Sequence, residues 1–133
     1  MLACLVEKNQ EWAKAAPVLM ISVARLRFRE RDKDHRHAQH DVGLAAENLV
    51  IQAMDLDLFV HQMAGFDREK ARETYGIPDG FEPVAAIAIG YMGNEDNLPE
   101  HLRKRQEADR SRRPLSEFVF AEKWGNTAPV VKE

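Results

Sequence analysis

Few side chains in this 133-residue sequence are of a type and spacing that could do chemistry. The most suggestive run is Arg110-Ser111-Arg112-Arg113-Pro114. A guanidinium offers paired N–H donors in one plane, which matches two oxygens of a phosphate. In an extended chain Arg110 and Arg112 share one side, and Arg113 leaves by the other. The alternative is a solvated basic stretch that continues from Arg103, Lys104 and Arg105. A second candidate acts through backbone alone. Met63-Ala64-Gly65 leaves a short apolar run and leads to Asp67, a residue type suited to cap a helix. N–H groups entering a helix have no intrahelical partner and can point outward. The alternative there is a tight turn in which Gly65 serves only to allow unusual dihedrals.

Other candidates carry less. His35, His37 and His40 invite a metal, since imidazole is a common zinc ligand, but no Cys or carboxylate spacing completes a tetrahedral set. They read as incidental histidines of a loop and helix start. Cys4 reads as a small buried apolar residue. As a lone cysteine it excludes an intramolecular disulfide and fits a reducing compartment, hence a cytoplasmic location. No acid–base pair, nucleophile–histidine couple or glycine-rich phosphate loop is present.

The elements that must position these residues follow from periodicity. Leu2, Leu5, Val6, Asn9, Trp12 and Ala13 recur at three- and four-residue steps and predict one helix over residues 2–14. Pro17 ends it, and residues 18–26, nearly continuously apolar, predict a buried strand. Residues 25–37 mix basic side chains with Glu30, Asp32 and Asp34. That composition predicts a solvated loop in preference to a nucleic-acid patch. Val42, Ala45, Ala46, Leu49, Val50, Ala53 and Met54 form a wide apolar stripe, which predicts a helix over 38–55 at the centre of the fold. Leu58, Phe59 and Val60 begin a short strand. Asp67 caps a helix over 68–75 that Gly76 and Pro78 terminate. Residues 83–91 predict a third strand, 98–107 a short charged helix, and the alternation over 115–120 a further strand edge. Helices separated by strands without a clean βαβ period imply an α+β layered fold.

Composition is that of a globular domain, with 44% hydrophobic and 31% charged residues. The net charge of −3 gives no electrostatic reason to expect a nucleic-acid partner. No run approaches the roughly 18 apolar residues of a membrane helix, and the first residues lack a secretory pattern.

Taken as an ordered set, Gln62-Met63-Ala64-Gly65-Phe66-Asp67, Ala86-Ile87-Ala88-Ile89-Gly90-Tyr91 and Arg110-Ser111-Arg112-Arg113-Pro114 resemble the second half of a nitroreductase-family flavoprotein. Asn9-x-x-Trp12 leading to Ala16-Pro17, and Asp41-x-Gly43-x-Ala45-x-x-Asn48-Leu49, strengthen the match. The resemblance runs from Leu2 to about Trp124. It implies a nitroreductase-like layered α+β fold with a mixed or antiparallel sheet packed by helices, one domain over 1–133, and a C-terminal arm over 115–133. It also implies FMN as cofactor, NAD(P)H as hydride donor, and an oxidised acceptor such as a nitroaromatic or quinone. In the family, backbone N–H groups matching Ala64 and Gly65 approach the flavin N5 and O4 edge. The basic pair matching Arg110 and Arg112 neutralises the flavin phosphate. Sites of this family lie at a homodimer interface, whose arms wrap the partner; Trp124 would anchor there or fold back on its own chain. Asp57 stands where many members have a left-handed glycine, a conformation aspartate reaches at modest cost.

Nothing in the chain matches the family's N-terminal Arg-x-Ser-x-Arg and Pro-Ser-x-x-Asn segments. The resemblance is therefore to a member without its front, and a second function class stands beside the enzyme. That class is a non-catalytic fragment that folds or dimerises without binding flavin.

Overall fold

The computed structural model describes residues 1–31 and 33–131; Asp32 of the charged loop and the last two residues of the expected arm lie outside the described residues. The chain divides into two compact units, Met1–Asn94 and Glu95–Glu133.

The first unit is built on a three-stranded antiparallel sheet in the order β1-β3-β2, with β1 at Val18–Arg25, β2 at Phe59–Met63 and β3 at Phe81–Gly90. β3 is the central strand, and it alone has buried residues on both faces. Ala86 and Ala88 point to one side and Ile87 to the other, and all three are buried. On the Ala86 side the sheet meets Cys4, Leu5, Ala13, Phe66 and Ala71. These come from a short 3-10 turn at Leu2–Cys4, from α1 at Glu7–Ala13 and from α3 at Arg68–Tyr75. Helix α2, Ala38–Asp55, packs against β1 and β2 on the opposite face.

Cys4 is buried, with its Sγ 3.9 Å from the Thr74 Oγ1, as its type suggested. The expected single helix over 2–14 is interrupted. Leu5 and Val6 are extended, with φ/ψ of −75/152° and −63/148°. Leu5 bridges to Phe66, and the Val6 N–H donates to the Gly65 carbonyl at 3.1 Å. A long-range pairing has taken the donor that would have continued the helix, so tertiary contact overrides local periodicity here.

Helix α2 has the expected bounds but not the expected burial. Ala38, Ala46 and Ala53 are buried, while Met54 of the apolar stripe is 69% exposed and Ala45 is exposed as well. Leu44 and Ile51, on the side away from the sheet, are 55% and 58% exposed. The helix lies over the sheet as a cover layer; only the alanine line is fully buried, while Val42, Leu49 and Val50 are half-buried. The turn that follows is closed by Asp57 in the left-handed region at φ 56°, in agreement with its place in the pattern.

Where the composition predicted a solvated loop, residues 26–31 and 33–36 are tied by backbone hydrogen bonds. The Phe28 N–H donates to the Lys33 carbonyl at 3.0 Å and the His35 N–H to the Leu26 carbonyl at 2.7 Å. Arg27 and Asp34 face one another as a bridge with an ion pair of 3.7 Å. The segment is a small hairpin, and its charges decorate a hydrogen-bonded frame.

In the second unit, α4 covers Glu100–Glu107, with Lys104 paired to Glu100 at 2.6 Å. The strand edge expected over 115–120 is absent. Leu115–Glu117 is a 3-10 turn that Pro114 initiates, and Phe120 makes a single bridge to Thr127. Six alternating residues are too few to outweigh a proline that presets φ for a turn. Among the described residues no helix is long and apolar enough to cross a membrane.

Helix α3 is entered as its sequence dictates. The Asp67 carboxylate accepts from the Lys70 N–H at 2.9 Å, and Gly76 closes the helix in the left-handed region at φ 59°. Asp67→Ala should lower unfolding free energy by about 1 kcal/mol, whereas Asp67→Asn should cost much less. Urea denaturation curves for both variants check this. Equal losses would show that the side chain acts there through charge and not through the cap.

Candidate functional site

The segment between β2 and α3 is held by the chain's first residues. The carbonyl of Gly65 accepts two hydrogen bonds, from the Val6 N–H at 3.1 Å and from the Asn9 side-chain amide at 3.0 Å. The Asp67 N–H donates to the Cys4 carbonyl at 2.7 Å, and the Phe66 N–H closes a tight turn onto the Ala64 carbonyl at 3.0 Å. These four contacts fix the peptide planes from 64 to 67. Among the described residues, no carbonyl or side chain accepts from the N–H groups of Ala64 or Gly65. Ala64 is exposed and Gly65 half-buried. The arrangement can therefore present two main-chain donors to a polar edge of a ligand.

Gly65 has a reason of its own to be glycine. Its φ is not in the left-handed region, so unusual dihedrals are not what the position requires. A Cβ there would stand 2.7 Å from the Asn9 Nδ2 and 3.0 Å from a Val6 methyl. Asn9 can reach the Gly65 carbonyl only because no side chain is in the way. Sequence reading placed Asn9 and Gly65 in separate motifs, and nothing in the spacing joined them. Trp12, one turn along α1 from Asn9, packs edge-on to His61 of β2 at 4.8 Å. Two residues before Met63, His61 thus gives α1 a second hold on the same strand.

The far end of the unit is tied as well. Glu82 of β3 accepts from Arg68, the first residue of α3, at 3.2 Å and from Gln39 in the first turn of α2 at 3.0 Å. Arg72 donates to the carbonyls of Ile77, Pro78 and Phe81 at 2.8–3.1 Å, which locks the connection from α3 into β3. The turn at 64–67 thus sits on a frame fixed at both ends.

Arg110 and Arg112 belong to the second unit and are exposed. Among the described residues neither is paired with a carboxylate, and Arg112 donates only to the neighbouring Ser111 carbonyl at 2.8 Å. Arg113 differs. It pairs with Glu117 at 2.9 Å and lies over the Phe118 ring at 5.9 Å. Of the three arginines, the two expected to act together keep their charge available, and the third is spent on its own turn.

The histidines form a cluster without a metal geometry. His35 is 3.1 Å and His40 3.5 Å from opposite oxygens of Asp41, and His35 stacks on Phe28 at 4.4 Å. Among the described residues no group of histidine, cysteine and carboxylate side chains could hold a metal ion. Asp41, in the first turn of α2, favours the helix N-terminus and pins the hairpin to it.

An antiparallel sheet with α2 on one face and the N-terminal turn, α1 and α3 on the other is the nitroreductase-like α+β fold. Residues 3–91 match the sequence model of the nitroreductase family. The chain belongs to that family. It is 34% identical over 125 residues to a protein of Mycolicibacterium smegmatis described as an uncharacterized 15.4 kDa protein in ask 5'region, covering 94% of this chain and 83% of that one. It is similar to a crystal structure of an oxidoreductase containing FMN, with 33% identity and a TM-score of 0.85. That similarity covers 94% of this chain and 64% of the other, so the chain spans somewhat under two thirds of that protein's length. A nitroreductase family protein from Streptococcus pneumoniae shares the fold at TM-score 0.65 and 19% identity, over 90% of this chain and 72% of its own.

The contact between Asn9 and Gly65 yields a direct test. Gly65→Ala forces the Asn9 amide away from the carbonyl and should destabilise the first unit by about 1–3 kcal/mol, as overpacking does. Adding Asn9→Ala should recover part of that loss. A double-mutant cycle read by thermal unfolding measures the coupling; strictly additive losses would mean that the two side chains do not meet.

Proposed function

We propose that this protein is an FMN-dependent oxidoreductase that passes a hydride from NAD(P)H to an oxidised acceptor such as a nitroaromatic or quinone. The observation that carries the reading is the turn at 64–67, whose carbonyl is doubly fixed while the N–H groups of Ala64 and Gly65 stay presented. Two donors held in place suit a ring edge that must accept hydrogen bonds in one orientation. The small, exposed methyl of Ala64 leaves room for a flat ring to approach. The guanidiniums of Arg110 and Arg112, which pair with no carboxylate of the described residues, suit a phosphate carrying close to two negative charges. On both counts the residues present fit FMN. When bound, the isoalloxazine would supply the two-electron chemistry between donor and acceptor. The chain's part is to orient that ring through Ala64 and Gly65 and to balance its phosphate through Arg110 and Arg112. No side chain of the chain need exchange a proton for this division of labour.

The reading includes a homodimer with the site shared between two copies, residues 115–133 serving as an arm on the partner. Support comes from the apolar side of α2 left open at Leu44, Ile51 and Met54, and from Phe118 and Trp124, which are exposed in the second unit. Large open apolar patches favour association. It also includes a reducing, cytoplasmic setting, in keeping with one buried cysteine. Light scattering at micromolar concentration should give twice the chain mass; a stable monomer would count against the shared site.

A second reading is a chain that folds or dimerises without retaining flavin. What favours it is that the similarity covers only 64% of the FMN-containing oxidoreductase. Losing part of a cofactor's contacts costs affinity tenfold per about 1.4 kcal/mol. Flavin fluorescence titration separates the two readings. Binding in a defined stoichiometry supports the enzyme, and its absence together with negligible NAD(P)H oxidation supports the second reading. Where FMN binds, Arg112→Ala should weaken it by about 1.5–3 kcal/mol. Arg113→Ala should do much less, because Arg113 is committed to Glu117. Equal losses would mean a diffuse basic surface.

A further inference from the structure

The hairpin at residues 26–36 is the strongest feature that the flavin reading leaves unused. Its outer side forms an open groove of about 410 Å³ lined by Arg27, Phe28, Arg29, Glu30 and Arg31. Three guanidiniums against one carboxylate make the groove a place for an anion. The charges are also sorted. Asp34 is drawn to Arg27, while no carboxylate of the described residues pairs with Arg29 or Arg31. The Arg31 guanidinium lies over the Phe28 ring, 4.2 Å from its centre, and His35 meets the same ring at 4.4 Å in a tilted contact. A guanidinium held over an aromatic ring can also stack on a purine. His35 is in turn paired with Asp41 at 3.1 Å, so the stack is anchored to α2.

Location gives the groove a purpose. β1 and β2 both run antiparallel to β3 and so point in the same direction, with β2 ending midway along β3 and β1 reaching its start. Arg25 lies opposite Phe81, and Met63 lies opposite Ala86. At about 3.4 Å per strand residue and about 4.8 Å between strands, the hairpin base stands roughly 20 Å from the turn at 64–67. That separation is on the scale of an extended dinucleotide. An arginine beside the adenosine ribose is a general way to accept a 2′-phosphate, which NADP carries and NAD lacks.

We propose that Arg29 and Arg31, with Phe28 as their platform, form a subsite for the adenosine 2′-phosphate end of a dinucleotide, which makes NADPH the preferred donor over NADH. Arg31 stacks on the adenine and Arg29 meets the phosphate. Arg27, tied to Asp34, closes the groove. The subsite rests on the oxidoreductase reading for what lies at the other end of the dinucleotide, but its own binding can be measured without flavin.

The test is isothermal titration of the 133-residue chain, freed of flavin, with 2′,5′-ADP and with 5′-AMP. The 2′,5′-ADP should bind at least tenfold more tightly, the range expected for one charge-assisted contact. Arg29→Ala and Arg31→Gln should each remove most of that preference, and Arg29→Lys should keep part of it. Lys14→Ala, on the exposed end of α1, should change nothing. Thermal unfolding of each variant shows whether the hairpin substitutions leave the fold intact; both side chains are exposed. Equal affinity for the two nucleotides overturns the proposal. So does inorganic phosphate competing as well as 2′,5′-ADP, or single-stranded DNA binding more tightly than either, since these describe a bare anion site or a basic surface. A chain that prefers 2′,5′-ADP yet binds no FMN would sink the oxidoreductase reading and leave the subsite standing, and the converse result would do the opposite.

Discussion

Much of the first unit depends on one carbonyl. Gly65 O receives the Val6 N–H and the Asn9 amide, and that pair of hydrogen bonds welds the start of the chain to the turn after β2. The break between the N-terminal 3-10 turn and α1 exists to supply the first donor. The absence of a side chain at Gly65 exists to admit the second. The same weld brings Cys4 and Leu5 onto Met63, Phe66 and Ala86, where they form the main buried cluster. Remove it and the cluster loses its outer wall, because α1 has few other buried side chains to hold it down.

Much of this frame was legible in the sequence, and for identifiable reasons. The helix at 38–55, the cap at Asp67, the stop at Gly76 and the strands at 18–25 and 81–90 are dictated by local chemistry, and local chemistry is what sequence displays. The failures share a cause. The helix over 2–14 was broken by a partner distant in sequence, the Gly65 carbonyl taking the Val6 N–H. The alternation over 115–120 had no neighbouring strand to pair with, and Pro114 turned it. The apolar stripe of α2 suggested a central helix, but the sheet it covers is narrow and fully buries only its alanine line. In each case the period was real and the surroundings decided what it meant.

The candidate site was half legible. Ala64, Gly65, Arg110 and Arg112 came from a family resemblance and not from any reactive signature, since a site built on main-chain N–H groups writes almost nothing into the side-chain sequence. What was missed is the support. Neither the amide of Asn9 nor the clamp of Arg72 on three carbonyls has a motif. The hairpin was passed over because its interleaved acidic residues were expected to cancel much of its field; the sorting shows only when Asp34 crosses to Arg27 and Arg31 lies over Phe28.

The distribution of charge and apolar surface makes one physical argument about how such a chain can work. Among the described residues its buried interior holds no polar or charged side chain besides the Cys4 thiol. Every guanidinium that could meet an anion sits at the surface, where a phosphate is held by geometry and proximity more than by a desolvated field. A chain of this kind gains little from reacting side chains and much from rigid placement. That is the division expected when a bound cofactor carries the reaction and the protein contributes position. It also explains why two donors at 64–65, fixed from behind by Val6 and Asn9, matter more to the reading than any acid or base the sequence contains.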